Sequence, residues 1–349
     1  MTDRRNGDPS TLPVRDAVTR YLRRRKADAT ESSVHSWEYR LKLFIEWCEG
    51  VGIEQVGDLR PLDLDEYYDI RSGSVEPSTL EGEMWTIKSF VEYLDQLGAV
   101  EDDLHESVRI PDVDKDDRSN DERLTEDAAL ALIDHFRNDE VRRATRGHAF
   151  LEIAWHTGAR IGGIRALDLR DAKLDQDYLE FTHRPETGTG LKNKRDGERP
   201  VAIPSAVSKV LREYIRKYRH DVQDDEGRAP LITSTRGRPG KNTIRVWSYQ
   251  ATQPCHHSPC PHGREREDCE YTEQPHASKC PSSRSPHKIR TGSITWQLNI
   301  GFPPEVVAER VNASIEVIEQ HYDKESPHER MEQRRRKYIA NMEEDYNDR

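Results

Sequence analysis

Long apolar runs are missing from this sequence, and its N-terminus has no apolar segment. Only 34% of the 349 residues are hydrophobic, and an equal 34% are charged. No run approaches the roughly 20 apolar residues that a membrane-spanning helix needs, and the first ten residues lack the apolar core of a secretory signal. We therefore expect a cytoplasmic protein with no membrane partner, and the length is sufficient for two domains.

Lysine is also scarce. The chain contains 14 lysines beside 40 arginines and 65 acidic residues, and its formal net charge is −11. We would expect this bias in a protein of a very salty cytoplasm, because molar salt shortens the Debye length to ~3 Å and screens repulsion between surface charges. A genomic base composition that favours arginine codons explains the same bias, so both origins stay open.

The acidic excess is unevenly distributed along the chain. Residues 101–127 hold twelve acidic and four basic side chains, whereas residues 228–250 hold five basic side chains and no acidic one. A further basic cluster lies at residues 334–337. Local basic faces can bind phosphates even on an acidic protein. The net charge therefore does not exclude a nucleic-acid partner.

Apolar periodicity predicts a mainly α-helical chain in two domains. The boundaries that we predict are residues 1–10 for a disordered tail, 11–112 for a helical bundle, 113–127 for an acidic linker and 128–349 for the second domain. In the second domain, residues 177–183 and 199–203 have the pattern of two strands of an antiparallel hairpin. A Cys- and His-rich insert without periodicity occupies residues 254–286.

Five polar residues of the second domain have the chemistry of phosphoryl transfer. Arg160 lies where one predicted helix ends and the next begins, and Lys194 lies in the loop of the predicted hairpin. His287 and Arg290 are three residues apart at a helix start, so both can face one point, and Tyr322 follows a later helix. Arginines neutralise phosphate, lysine and histidine transfer protons, and a phenolic oxygen can attack phosphorus. Each residue alone is more often structural, but the set predicts a site for phosphoryl transfer.

The order and spacing of these residues resemble the tyrosine recombinases, the family of phage-type integrases that includes the Xer recombinases. Thr157-Gly-Ala-Arg160 is similar to the family's first arginine box, and His287-Lys-Ile-Arg290 to its His-x-x-Arg box. Residues 311–322 resemble the segment that ends in the family's nucleophile. With the scarcity of lysine, the resemblance indicates a haloarchaeal, Xer-like integrase.

The resemblance implies a fold and an activity. The implied fold is mainly α-helical with a small antiparallel β-hairpin or sheet, and comprises an N-terminal helical core-binding domain of the SAM-like type and a C-terminal catalytic domain. The implied activity is site-specific DNA integration or recombination through a 3′-phosphotyrosyl intermediate, with no metal or other cofactor in catalysis. The implied partner is double-stranded DNA, bound by a homo-oligomer that is a tetramer on two duplexes.

The resemblance also assigns a role to each residue of the set. Tyr322 is the expected nucleophile, and Arg160 and Arg290 are expected to bind the non-bridging phosphate oxygens. Lys194 best matches the hairpin lysine that protonates the leaving 5′ oxygen, with the lysine two residues earlier as the alternate. His287 is expected to assist as a base or a hydrogen-bond donor.

Two positions depart from the family pattern. Gly163 lies three residues after Arg160, where the family usually has an acidic residue that helps to hold the site. Ala313 lies nine residues before Tyr322, where the family usually has a His or Trp that hydrogen-bonds the scissile phosphate. Losing one such donor costs roughly 3 kcal/mol in the transition state. A catalytically degenerate, integrase-like DNA-binding protein is therefore the alternative prediction, and a zinc-dependent nuclease is a third.

Four of the five cysteines lie within 26 residues of the insert. They are Cys255, Cys260, Cys269 and Cys280, with four histidines among them. Short loops that bring soft ligands together suit a tetrahedral zinc ion, which would give an aperiodic segment a core. We therefore predict a structural zinc with these four cysteines as the first choice of ligands. Disulfides, which an intracellular chain disfavours, and a redox-sensing cluster are the alternatives.

Overall fold

A computed structural model describes residues 7–27, 29, 31–114, 122–322, 326–336 and 339 of the chain. The chain divides into two compact units, residues 1–120 and 121–349. The helices of the N-terminal unit are α1 (Val14–Arg25), α2 (Glu31–Val51), α3 (Pro61–Ser72) and α4 (Pro77–Gln96). Within the described ranges, no helix is both long and apolar enough to cross a bilayer.

The N-terminal unit has an aromatic core. Its helices bury apolar residues spaced three and four apart, as amphipathic helices do. The ring of Phe44 lies 5.1 Å from that of Tyr67 and 6.4 Å from that of Phe90, measured between centroids. Cys48 lies in the same core, where burial raises the pKa of its thiol to about 12. This thiol therefore stays protonated and acts as a packing residue.

The start of the chain is more ordered than its polar composition predicted. Residues 1–6 of the predicted tail lie outside the described residues, but Pro9–Thr11 forms a 3-10 turn capped by the side chain of Asp8. Just beyond this turn, the Val56 amide donates to the Leu12 carbonyl at 2.9 Å. This backbone bond attaches the beginning of the chain to the helical unit.

The C-terminal unit is also mainly helical and contains a small sheet. Its elements are α5 (Glu126–Asn138), α6 (Arg146–Thr157), α7 (Ile161–Ala166), β1 (Ala172–Lys173), β2 (Tyr178–Phe181), β3 (Arg199–Ala202), α8 (Ser205–Lys217), α9 (Lys241–Ala251), α10 (Pro286–Asn299), α11 (Pro304–Val311), α12 (Ile315–His321) and α13 (Pro327–Arg330). The sheet order is β1-β2-β3 with antiparallel neighbours, and the buried Leu179 pairs with the buried Val201. The predicted fold class, mainly helical with a small antiparallel sheet, is confirmed.

Helix α6 runs through the C-terminal core and carries a buried charge network. Glu152 is fully buried and accepts from Arg137 Nε at 2.7 Å. Rings of His148 and His156, one helical turn away on either side, contact the same carboxylate at 3.1 and 3.2 Å. Burial alone would raise the pKa of Glu152, but these hydrogen bonds outweigh burial and hold the pKa below its ordinary value. The carboxylate is therefore charged at neutral pH and fixes α5 against α6.

Part of the predicted linker 113–127 belongs to the C-terminal unit. Leu124 is buried in its core, and the Leu124 amide donates to the Lys288 carbonyl at 3.1 Å. Gly292 permits this contact, since a Cβ there would lie 1.9 Å from the Leu124 carbonyl oxygen. Helix α5 then begins at Glu126. Residues 115–121 of the predicted linker lie outside the described residues.

The basic stretch 228–250 was predicted from its charge to be a face that binds phosphates. Two of its arginines instead bind carboxylates inside the C-terminal unit. Arg228 and Arg238 donate to the buried carboxylate of Asp168 at 2.9 and 2.5 Å, and Arg238 also donates to Asp224 at 2.6 Å. Burial would raise the pKa of Asp168, but hydrogen bonds from these two arginines lower it overall. The prediction was wrong for these arginines, because their charge is neutralised inside the unit.

Replacing Asp168 with asparagine should destabilise the protein by about 3–5 kcal/mol, because buried guanidinium groups lose their counter-ion. Because the pKa of Asp168 is lower in the folded than in the unfolded chain, its contribution is present at neutral pH and is lost as the pH falls through the carboxyl range. Urea unfolding of Asp168→Asn at neutral pH measures the change. Glu49→Gln, in an exposed pair with Arg15, is the control and should cost less than about 1 kcal/mol. Equal effects would contradict the buried network.

Candidate active site

The turn between α6 and α7 positions Arg160. Gly158 ends α6 in the left-handed conformation, with a φ of 58°. A Cβ at this glycine would lie 2.8 Å from Cγ1 of Val311, so the close approach of α11 requires a residue without a side chain. Arg160 then caps α7, and its Nη1 donates to the Asn312 carbonyl at 2.6 Å. The arginine therefore joins this turn to the end of α11.

Helix α10 presents His287 and Arg290 from its N-terminal half. The side chain of Ser285 caps the helix, as the sequence of a helix start requires. Arg290 is only 1% exposed, and its Nη1 donates to the carbonyls of Gly158 and Val311 at 2.7 and 2.8 Å. Its Nη2 is buried and has no hydrogen-bond partner in the described part of the chain. An anion that reached this donor would satisfy it.

Tyr322 lies against Arg290. It follows the last residue of α12, is 5% exposed, and its hydroxyl lies 3.3 Å from Nε of Arg290. The ring of His287 lies 5.7 Å from the tyrosine ring, between centroids. Thr295 of α10 donates from Oγ1 to the Tyr322 carbonyl at 2.8 Å, which fixes the chain where α12 ends. The structure thus brings His287, Arg290 and Tyr322 together, with Arg160 on the adjoining turn.

Positive charge accumulates around this tyrosine. Burial, with repulsion from Arg160, lowers the pKa of Arg290 to about 10, although Tyr322 acts in the opposite direction. Burial, with repulsion from Arg290, Arg160 and Arg310, likewise lowers the pKa of Arg199 to about 10. Both guanidinium groups remain charged at neutral pH. Within the described ranges, no carboxylate is among the groups that shift these two pKa values, so the cluster suits an anionic ligand such as phosphate.

Arg199 and Arg310 are site residues that the motifs did not predict. The guanidinium of Arg199 lies 4.6 Å from the centroid of the Phe181 ring, and its Nε donates to the Arg310 carbonyl at 2.7 Å. Arg310 in turn donates from Nη2 to the His156 carbonyl at 2.8 Å. On β3, Arg199 is two residues from the buried Val201 and shares its face. Strand alternation could therefore have indicated an inward-facing arginine.

Lys194 lies in the loop between β2 and β3. It is exposed, and its φ of 53° lies in the left-handed region that lysine rarely adopts. Nδ2 of the preceding Asn193 donates to Oδ1 of Asn312 at 2.5 Å, and Nδ2 of Asn312 donates to the Asp196 carbonyl at 2.8 Å. The loop is therefore attached to the residue whose carbonyl accepts from Arg160.

The two departures from the family pattern have different surroundings. A Cβ at Gly163 would lie 3.3 Å from Cδ1 of Phe181, so this ring limits the space for the acidic side chain that the family usually has. Ala313 is partly buried against the small apolar cluster that contains Val311 and Tyr322. A methyl group, which cannot donate a hydrogen bond, therefore occupies the place of the usual donor.

The Cys- and His-rich insert forms short 3-10 turns, and all five cysteines of the chain are free thiols. The thiol and imidazole groups of the insert are suitable zinc ligands, but the structure does not bring three of them together. In the described ranges, three Cys, His, Asp or Glu ligand atoms lie within 4.8 Å of one another only at Asp95, Asp103 and His105. Nη1 of Arg266 donates to Sγ of Cys255 at 2.8 Å.

The histidines of the insert differ in their surroundings. Burial, with repulsion from Arg266, lowers the pKa of His256 to about 3, and both of its ring nitrogens have partners, Arg142 and the Gln250 carbonyl. His256 is thus a neutral packing residue rather than a free ligand. Nδ1 of His276 is buried and has no hydrogen-bond partner within the described residues. A ligand or a rearrangement of the insert would satisfy this atom.

Solved structures of DNA-bound integrases share the fold. A Tn1549 transposon integrase in complex with circular intermediate DNA matches with a TM-score of 0.62 and 14% identity, over 95% of this chain and 99% of that chain. A lambda integrase dimer bound to a COC′ core site matches with a TM-score of 0.62 and 11% identity, over 90% of this chain and 79% of that chain. The N-terminal domain of a phage integrase/site-specific recombinase from Haloarcula marismortui is 44% identical over 29% of this chain and 97% of that chain, with a TM-score of 0.28.

Comparison with the curated proteins gives no match. The profile of the phage integrase family matches residues 122–329, more than half of the chain. That span includes both arginines of the motifs, the hairpin and Tyr322. The resemblance predicted from the motifs is therefore confirmed, and the chain belongs to the phage integrase family of tyrosine recombinases, enzymes that cleave and rejoin DNA.

Proposed function

We propose that this recombinase acts through Tyr322, which attacks a DNA phosphate and forms a transient 3′-phosphotyrosyl bond. The observation that carries the proposal is the 3.3 Å separation between the Tyr322 hydroxyl and Nε of the buried Arg290. A guanidinium at this distance can bind the phosphate that the tyrosine attacks and hold it beside the nucleophilic oxygen. Because the bond to tyrosine conserves the energy of the phosphodiester, rejoining needs no ATP.

The arginines stabilise the charge that develops on the phosphate. Arg290, with its unpaired Nη2, and Arg160, on the adjoining turn, would bind the non-bridging oxygens. Preorganised donors of this kind stabilise a transition state because they need not reorganise when the charge appears. Arg199 would add positive charge from the sheet side, because its guanidinium lies close enough to Arg290 and Arg160 for their repulsion to contribute, after burial, to the lowering of its pKa. In this proposal the arginines supply the positive charge, so catalysis needs no metal.

Proton transfers complete the reaction. As the bond from the Tyr322 oxygen to phosphorus forms, the bond from phosphorus to the 5′ oxygen breaks. The phenolic proton passes to a base, for which we propose His287, whose ring centroid lies 5.7 Å from that of Tyr322. The leaving 5′ oxygen takes a proton from the ammonium group of Lys194. In rejoining, the same groups act in the reverse direction.

The second candidate is a DNA-binding protein of the same family with a weakened site. Ala313 favours this candidate, because the usual donor to the phosphate is replaced by a methyl group. The gathered Arg160, Arg290 and Tyr322 favour the enzyme. We therefore propose an active recombinase that cleaves more slowly than a family member with the donor.

The DNA is double-stranded in our proposal, and the working assembly is a tetramer on two duplexes, as the family resemblance implies. The N-terminal bundle, predicted at residues 11–112, would act as the core-binding domain. Exposed Arg23, Arg24 and Arg25 in the last turn of α1 support a role in phosphate contact. Of the predicted basic cluster 334–337, residues 334–336 are described and residue 337 lies outside the described residues. The predicted cytoplasmic location stays a prediction.

Tyr322→Phe should abolish covalent attachment to DNA, because phenylalanine has the same ring and no nucleophilic oxygen. The substrate is a nicked suicide duplex built from the repeats that flank the gene, and the measurement is the protein–DNA adduct on a denaturing gel. Tyr218→Phe, at an exposed tyrosine, is the matched control and should form the adduct at the wild-type rate. Wild-type protein that binds this DNA without forming an adduct would support the degenerate alternative.

We also propose that the insert binds a structural zinc ion through Cys255, Cys260, Cys269 and Cys280. The proposal is supported by four free thiols in an aperiodic segment and by the unpartnered Nδ1 of His276 nearby in the sequence. The ion would draw the sulfurs together and serve as the core that the segment otherwise lacks. The insert immediately precedes α10, so its order would support the helix that carries Arg290.

Purified protein should then contain about one zinc ion per chain. Cys260→Ser and Cys269→Ser should each lower both the metal content and the melting temperature, because each removes a ligand of the ion. Cys48→Ala is the control: it should lower stability through a core cavity and leave zinc unchanged. Metal-free protein that melts at the same temperature would contradict the zinc site. Once Tyr322→Phe has been shown to abolish the covalent adduct, DNA cleavage by the wild-type protein can be measured with a metal chelator present. Cleavage that continues under these conditions would exclude a zinc-dependent nuclease.

We propose a halophilic source from the 14 lysines, 40 arginines and 65 acidic residues. Raising KCl from about 0.1 M to about 2 M should raise the melting temperature, because the Debye length falls from ~10 Å to a few Å and repulsion among surface carboxylates is screened. Scanning calorimetry at both salt concentrations gives the answer. A melting temperature that stays constant or falls would favour codon bias as the origin of the composition.

A further inference from the structure

We infer that Asn312 is a positioning residue that holds residues 191–197, the lysine loop, so that Lys194 can deliver its proton. The inference rests on the proposed function, in which Lys194 protonates the leaving 5′ oxygen. Neither the motifs nor the family profile assign Asn312 a role.

Asn312 contacts the lysine loop on both sides of Lys194. Its Oδ1 accepts from Nδ2 of Asn193 at 2.5 Å, and its Nδ2 donates to the Asp196 carbonyl at 2.8 Å. The amide thus uses its acceptor and its donor on one loop. Since neighbouring residues on both sides of Lys194 are held, the backbone of Lys194 has little freedom to rotate.

The backbone conformation of Lys194 makes such a hold necessary. Its φ of 53° lies in the left-handed region, where the Cβ of an ordinary residue is crowded. A lysine keeps this conformation only when its surroundings enforce it, and such residues are concentrated at functional sites. The bonds from Asn312 supply part of those surroundings, because they hold Asn193 and Asp196 on either side of the strained position, while the Lys194 amide donates to the Leu191 carbonyl at 3.1 Å.

The same residue also fixes Arg160. Asn312 ends α11 in the left-handed conformation, with φ 52° and ψ 66°, and its carbonyl accepts from Nη1 of Arg160 at 2.6 Å. Its backbone therefore positions a phosphate-binding arginine, while its side chain positions the loop of the proton donor. Asn312 therefore links the phosphate-binding Arg160 to the loop that carries the proton donor Lys194.

The ends of the lysine loop have other anchors, so loss of the Asn312 side chain should loosen the loop without unfolding the hairpin. The Leu191 amide donates to Nδ1 of His183 at 2.8 Å, and Nη1 of Arg199 donates to the Gly197 carbonyl at 2.8 Å. Both anchors belong to the strands of the hairpin or their immediate extensions.

The variant Asn312→Gly distinguishes the role of the Asn312 side chain from the role of its backbone carbonyl. Glycine adopts the left-handed conformation readily, so the bond from Arg160 to the carbonyl is retained and only the two amide bonds to the loop are lost. Asn193→Ala removes one of those two bonds, the one between Asn193 and Asn312, by changing the residue on the loop. If both variants act on one contact, their effects on cleavage should not add. Lys194→Ala is the reference for loss of the proton donor.

Two suicide duplexes make the test specific for proton delivery. One carries the natural 5′ oxygen at the scissile phosphate, and the other carries sulfur at that position. With sulfur, the phosphorus–sulfur bond breaks and a thiolate leaves. Since a thiol has a pKa near 8.5, far below that of an alcohol, the thiolate needs no proton to leave. A defect in proton delivery therefore disappears with sulfur, whereas a general structural defect remains.

On the oxygen substrate, we expect single-turnover cleavage to fall roughly 10²–10⁴-fold in Lys194→Ala and at least about tenfold in Asn312→Gly. On the sulfur substrate, both should cleave within about threefold of wild type. The inference is overturned if Asn312→Gly cleaves both substrates equally slowly, or if it cleaves the oxygen substrate at the wild-type rate. Failure of sulfur to rescue Lys194→Ala overturns instead the proposed role of the lysine.

Amide hydrogen exchange of residues 191–197 tests the hold on the loop without any catalysis. Exchange in the loop should be faster in Asn312→Gly than in wild type, while exchange in α10 stays the same. Unchanged loop exchange contradicts the inference even if the enzyme proves inactive on every DNA.

Discussion

The buried guanidinium of Arg290 joins three parts of the chain that are far apart in the sequence. Nη1 binds the carbonyls at the ends of α6 and α11, and Nε contacts the hydroxyl of Tyr322. Helix C-termini carry free carbonyls and partial negative charge, so two of them directed at one arginine offset part of the cost of burying its charge. The turn at Gly158 and the position of α11 both depend on this arrangement.

The arginines of the C-terminal unit fall into two groups that differ in their hydrogen-bond partners. Arg228 and Arg238 bind the carboxylate of Asp168, and their charge is neutralised within the fold. Arg290 and Arg199 bind backbone carbonyls, which satisfy hydrogen bonds without cancelling the positive charge. A guanidinium held by carbonyls thus remains attractive to an anion. This difference explains how an acidic protein can maintain a locally positive site.

Much of the placement of the candidate site residues could be predicted from the sequence, because the motifs lie where helices start and end. The helix boundaries around Arg160 and Arg290, and the hairpin that carries Lys194, could be predicted from glycines, capping residues and strand alternation. The partners of Arg228 and Arg238 could not, because charge along the chain does not reveal contacts between residues 60 or more positions apart. Likewise, the role of Asn312 depends on a loop more than 110 residues away.

The contact between Tyr322 and Arg290 has a consequence for strand exchange. Both residues belong to one chain, and Thr295 fixes the tyrosine backbone to the helix that carries the arginine. In the proposed mechanism, each protomer would therefore hold its nucleophile and its phosphate-binding arginine in cis. In an assembly on two duplexes, a protomer would cut the strand that it binds itself. The order in which strands are cut would then be decided by which protomers are active rather than by the sharing of a tyrosine between neighbours.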